Sequence, residues 1–133
     1  MDLKKPKRRC LQIALALIGS VFLLLYPLMQ LWPSGWVWLP RQSEYEQMMI
    51  GVYATLGIFL IWASRRPEAH LSLIWFTFWS SLVHGIVMGA QALIDPVEGA
   101  HLFGDVAALF IAVALLGWLT PRGRIPVTKA DEA

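Results

Sequence analysis

The sequence has a single cysteine, Cys10, which excludes a disulfide framework and any CxxC metal or redox motif. It is also poor in charge. Only 15% of the 133 residues are Asp, Glu, Lys or Arg, against about 25% in an average soluble domain. It contains no Gly-rich phosphate loop, no nucleophile elbow and no HExxH motif. With three histidines, of which only His84 falls deep within an apolar run, bis-His haem ligation is excluded as well. No catalytic, cofactor or metal signature remains, so no enzymatic activity is expected.

What the chain does have is apolar surface. Its residues are 57% hydrophobic, and seven are Trp. The aromatics and the low polarity exclude a disordered chain. A hydrocarbon core about 30 Å thick takes about 20 helical residues. Four segments of that length are predicted, at about 10–32, 45–63, 71–94 and 102–119. The expected fold is a single all-α integral membrane domain, a bundle of four transmembrane helices. Basic tails at 1–9 and 120–133 flank it, and the short connectors leave no room for a soluble domain.

Pro33-Ser34-Gly35, Pro67, Asp95-Pro96 and Pro121 end or separate the segments. Pro27 lies inside the first and predicts a kink. That apolar run exceeds the about 7–15 residues of a signal-peptide core. It is therefore read as a retained helix.

Orientation follows from the basic residues. With four alternating helices, all of the 11 Lys and Arg except Arg41 fall on one side: the N-terminal tail, Arg65-Arg66, and Arg122, Arg124 and Lys129. The positive-inside rule then puts both termini in the cytoplasm of a bacterial inner membrane. Glu44, Glu46, Asp95, Glu98 and Asp105 fall on the outer side. Trp32, Trp36 and Trp38 fit the outer aromatic belt, and Trp62 and Trp118 the inner one. The basic N-terminal tail should touch anionic lipid, and nucleic acid is a poor partner for five charges abutting a membrane helix.

Polar residues within the membrane are the functional candidates. His84 sits about 16 Å in from Asp95 at 1.5 Å per residue. His84, Met88, Gln91 and Asp95 form one stripe of the third helix. Ser81, Gly85 and Gly89 form a second, a small-residue face for helix packing. Ala108 and Ala112, or Gly51 and Thr55, are candidates to match it.

Tyr53 lies about 12 Å into its helix, so the hydroxyl of Tyr53 or of Thr55 is positioned to meet His84. Gln30, Glu46, Gln91 and Asp105 complete the outer half, and together they suggest a polar pocket with His84 at its floor. The ordinary reading stands beside it: His84 as interhelical glue, Glu46 and Asp105 as helix-start acids suited to the dipole. For Asp95, Glu98, His101 and Asp105, solvated loop charge is favoured over a divalent cation site. Trp75 and Trp79 read as lipid-facing or packing residues. Residues 51–58 and 104–111 share Gly, Ala, Leu and Ile at matching positions, which leaves open a duplicated helix hairpin.

Three blocks carry a resemblance. The first is Tyr26-Pro27-Leu28-Met29 followed by Trp32-Pro33-Ser34-Gly35-Trp36. The second is Tyr45-Glu46-Gln47-Met48 leading into Gly51-Val52-Tyr53-Ala54-Thr55-Leu56-Gly57. The third runs from Ala63-Ser64-Arg65, Pro67 and His70 through Leu73-Ile74-Trp75-Phe76-Thr77 and Trp79-Ser80-Ser81 to His84-Gly85. Over about residues 10–120 the set resembles a bacterial family of small four-helix membrane proteins known only as a domain of unknown function. The resemblance implies four helices and transfers no site residues.

Two function classes remain. The first reading is a structural or accessory membrane protein, packing within itself, as a homo-oligomer or against a membrane partner. The alternative is a binder or carrier of a small polar or amphipathic molecule, using His84, Tyr53, Gln91, Glu46 and Asp105.

Overall fold

The structure, a computed structural model, describes residues 4–37 and 43–122. Trp38, Arg41, Arg124, Lys129 and most of the C-terminal tail lie outside the described residues. All regular structure among the described residues is helical: α1 (Lys5–Leu23), α2 (Leu25–Leu31), α3 (Pro33–Trp36), α4 (Ser43–Ala63), α5 (Leu71–Ile94) and α6 (Asp105–Leu119). Two 3-10 segments, Pro67–His70 and Pro96–Leu102, precede α5 and α6. Three helical stretches are long and apolar enough to cross a membrane. A fourth is added if α1 and α2 count as one span, bent by 64°.

The boundaries differ from expectation at three places. α1 begins at Lys5, because Pro6 fits the first turn of a helix, where no amide partner is needed. Lys5, Lys7, Arg8 and Arg9 therefore ride on the helix and do not form a free tail. The kink expected at Pro27 falls at Leu24. A proline ring clashes with the carbonyl four residues earlier, and that residue is Leu23, the last of α1. The final helix starts at Asp105, not Leu102, since Pro96 and the Asp95 side chain, which accepts from the Val97 N–H at 3.0 Å, set a tighter turn first.

α1 runs antiparallel to α4. Gln12 Nε2 donates to the Arg65 carbonyl at 3.3 Å, and Phe22 meets Tyr53 edge-on at 5.0 Å. Between these contacts the backbones touch: a Cβ on Gly57 would lie 2.5 Å from the Gly19 carbonyl oxygen and 2.8 Å from the Leu23 nitrogen. α5 and α6 form the second antiparallel pair, with Phe78 over Gly117, Gly85 against Leu109 and Gly89 against Val106. α1 also packs on α6, and their shared face holds the core: Leu11, Leu15, Ile18 and Phe22 of α1 against Leu109, Ala112 and Leu116 of α6. The α1 positions repeat at helical spacing, one apolar face turned inward.

This arrangement gives the bundle two ends. One holds the start of α1, the 64–70 connection and the end of α6, and all described Lys and Arg lie there. Arg8 Nε pairs with Glu68 Oε1 at 2.7 Å. The other end holds α3 and the 96–104 segment, with every described carboxylate except Glu68. These are the basic and acidic ends.

Candidate functional site

α4 packs on α1 and α5 packs on α6, but α4 and α5 scarcely approach each other. Between them, in the half of the bundle toward the acidic end, lies a cavity of about 920 Å³. It opens just beyond the Gly19–Gly57 crossing, where the 64° bend carries α2 away. Its walls are chiefly apolar. Tyr45 and Met49 of α4 and Val83 and Val87 of α5 both line it and are exposed, so they form its rim. The mouth thus faces the flank of the bundle.

His84, Tyr53, Gln91, Glu46 and Asp105 all line this one cavity. The rings of Tyr53 and His84 meet edge-on with centroids 5.6 Å apart, bridging the gap between α4 and α5. The contact is ring to ring and does not run through the Tyr53 hydroxyl. Among the described residues no hydrogen bond engages either imidazole nitrogen of His84, so both are available to a guest. Thr55, the alternative partner, turns away: it is exposed, and its hydroxyl donates to the Gly51 carbonyl at 2.8 Å. Gln30 lies apart from His84, in a second cavity of about 140 Å³ that shares Glu46 with the first.

The small-residue face of α5 meets α6 as expected, although its partners are Val106, Leu109 and Phe110. Ala108 faces the cavity, Ala112 is buried in the core, and Gly51 has nothing within 4 Å of its Cβ position. The crossing of α1 on α4, Gly19 on Gly57, escaped the sequence reading. Two glycines at a similar depth on antiparallel helices were its available signal. Trp79 is exposed and Trp75 packs on Phe78, as expected of lipid-facing or packing residues. Gly51 and Gly104 hold equivalent places in the proposed repeat, yet their surroundings are unlike. Gly51 is open, whereas a Cβ on Gly104 would collide with the Gly35 carbonyl.

The expectation of solvated loop charge at 95–105 is overturned for three of its four residues. Asp95 is exposed, but Glu98 is 5% and His101 0% exposed. His101 Nδ1 lies 2.9 Å from Asp105 Oδ1, and its Nε2 lies 3.0 Å from Glu98 Oε2 and 3.2 Å from the Val37 carbonyl oxygen. Among the described residues, the atoms facing its two nitrogens are acceptors, to which a ring N–H donates. The loop is dry because α3 folds back over it, glycine to glycine at Gly35 and Gly104. Asp105 Oδ1 also accepts from the Val106 N–H at 2.8 Å, so its helix-start role holds too. No group of three or more His, Cys, Asp or Glu among the described residues has the geometry of a metal site.

The chain matches the family of unknown function DUF6632 over residues 5–130. It belongs to that family. The resemblance read from the three sequence blocks is thereby confirmed as membership of a family of unknown function. No curated protein matches the chain, and no solved structure matches it. The DUF6632 family brings no activity or site residues with it, so the cavity must be interpreted from its own chemistry.

Proposed function

We propose that this protein is a four-span membrane protein that binds or carries an amphipathic small molecule in the cavity between α4 and α5. The cavity carries the reading. Small-molecule sites are mostly apolar hollows of about 300–1,000 Å³ with a few convergent polar groups, and this one, at about 920 Å³, has that size and that lining. Met49, Val83, Val87 and Met88 suit an apolar body, while Glu46, Tyr53, His84 and Gln91 suit a polar group. Binding, not catalysis, is the proposed role.

The alternative, an accessory protein that docks to partners through small-residue faces, has less support. Gly19, Gly57, Gly85 and Gly89 are spent on contacts within the chain.

The proposed setting is a bacterial inner membrane. The basic end lies at the cytoplasmic face, against anionic lipid, with both termini inside. The clustering of all described Lys and Arg at one end supports this orientation. Ser34→Cys and Gly99→Cys should then label from outside, while native Cys10, which is exposed, labels only from the cytoplasm. Labelling of either introduced cysteine from the cytoplasm alone would reverse the orientation.

The binding reading is tested by native mass spectrometry of protein purified in a non-ionic detergent. One retained amphiphile per chain is expected, and Val83→Trp at the exposed rim should displace it without unfolding the helices. A folded wild-type chain that consistently emerges empty overturns the proposal.

A further inference from the structure

Among the described residues, the acidic and basic side chains that line the cavity are of one sign. Glu46 and Asp105 bring two carboxylates to it, and no Lys or Arg is among its described lining residues. Every described Lys and Arg lies at the opposite end of the bundle. The one lining group able to become cationic is the His84 imidazole, set against two acids.

The two carboxylates are not equivalent. Asp105 is committed: its Oδ1 takes the His101 ring at 2.9 Å and the Val106 N–H at 2.8 Å. That second bond also engages an amide in the first turn of α6, so an anion approaching this helix start would meet the Asp105 carboxylate. Glu46 is half-buried, and among the described residues no ion pair or hydrogen bond engages its side chain. It is the acid the cavity leaves for a ligand. Four aromatic side chains, Phe22, Trp36, Tyr45 and Tyr53, line the same hollow. Aromatic faces attract an organic cation within about 6 Å, and the attraction grows when the site is desolvated.

We infer that the occupant is an amphipathic organic cation. Its ammonium-like head lies against Glu46 and the aromatic rings. Its apolar body lies among Met49, Val83, Val87 and Met88, and it enters sideways through the rim between α4 and α5. An anionic head would meet Glu46 with no Lys or Arg among the described lining residues. A neutral head would leave the Glu46 charge half-withdrawn from water with nothing to balance it. The inference rests on the binding reading proposed above and adds the charge of the ligand to it.

The test compares three probes with one apolar chain: decyltrimethylammonium, decyl sulfate and decyl maltoside. Each is titrated into the full chain in a non-ionic micelle, and one-to-one adducts are counted by native mass spectrometry. Far-UV circular dichroism verifies the fold of each variant. Decyltrimethylammonium is expected to bind at least about tenfold tighter than decyl sulfate, a difference of about 1.4 kcal/mol. Glu46→Gln should abolish that preference, and Glu46→Asp should keep most of it. Equal binding of all three probes, a preference for decyl sulfate, or a cation preference that survives Glu46→Gln would each overturn the inference and leave the binding reading standing. Failure of all three probes to form a one-to-one adduct with folded wild-type protein would overturn both.

Discussion

The two halves of the bundle are built from the same helices and similar apolar residues, yet one is filled and the other hollow. Toward the basic end, Leu11, Leu15, Leu60, Ile74 and Leu116 are completely buried. Toward the acidic end the same helices enclose about 920 Å³ of space. Composition does not make the difference. The Gly19–Gly57 crossing draws α1 onto α4 at the boundary between the halves, and beyond it the clash of Pro27 with Leu23 turns α2 aside by 64°. In lipid there is no water to drive apolar surfaces together, so helices there would depend on close van der Waals packing. One glycine pair and one proline therefore decide where packing stops. The hollow half is then fastened at its far end by His101 and across its width by Tyr53 and His84.

Breaking the fastening at the acidic end should have the largest effect. His101→Leu removes the donor between two carboxylates and leaves Glu98 and Asp105 buried without it. Taking a hydrogen-bond donor away from a buried acceptor typically costs about 1–3 kcal/mol, and more for a charged one, and a loss at the upper end of that range is expected in urea unfolding in micelles. Adding Glu98→Leu should recover part of it. A loss below about 1 kcal/mol would mean that the trio does not hold this end together.

Next in size is the boundary between the halves. Gly57→Ala forces a methyl group to within 2.5 Å of the Gly19 carbonyl oxygen. Backbone cannot yield as a flexible side chain does, so about 2 kcal/mol of destabilisation is expected, in the usual range for overpacking. Loss of the retained amphiphile should accompany it, since the crossing sets the bottom of the cavity. Thermal unfolding and native mass spectrometry on the same preparation check both outcomes.

The comparison also explains what could be read in the sequence. α5 was legible to the residue, 71–94, because Pro67 and Asp95-Pro96 bracket an uninterrupted apolar run. The five cavity residues were legible from depth alone: on straight antiparallel helices, counting residues from the ends finds groups at one height. Depth says nothing about rotation, however. Tyr53 and Thr55 are about 200° apart around a helix of 3.6 residues per turn, so only one of them can face His84. The Gly19–Gly57 crossing was hidden for the same reason. The buried His101 trio was hidden by a different cause. Among the described residues α3 returns over the 96–104 segment, a long-range contact that no local pattern announces.

A smaller effect is expected across the width of the cavity. His84→Ala removes the edge-on contact with Tyr53. Such an aromatic pair contributes about 0.5–1.5 kcal/mol, so the helices should stay assembled while ligand retention falls. If His84 were only interhelical glue, the order would reverse: assembly would suffer, and His84→Gln or His84→Asn would rescue it. Measuring stability and retention on all three variants separates the two roles. Unchanged retention in a fully folded His84→Leu protein would remove His84 from the site.

The smallest effect is expected where the sequence pointed most strongly to packing. A Cβ on Gly89 would sit 3.6 Å from Val106 Cγ1, an ordinary van der Waals distance, with nothing else within 4 Å. Gly89→Ala therefore brings no collision, and alanine is intrinsically favoured over glycine in a helix by up to about 1 kcal/mol. Its unfolding free energy should lie within about 0.5 kcal/mol of the wild-type value, the usual range for a substitution that disturbs no packing. Gly57→Ala, the same change on another helix, should fall well below it. If the two variants were equally damaging, α5 and α6 would have to depend on backbone approach as α1 and α4 do. The hollow half would then owe its shape to glycine spacing in both hairpins, and not to the single crossing at Gly19 and Gly57 followed by the bend at Leu24.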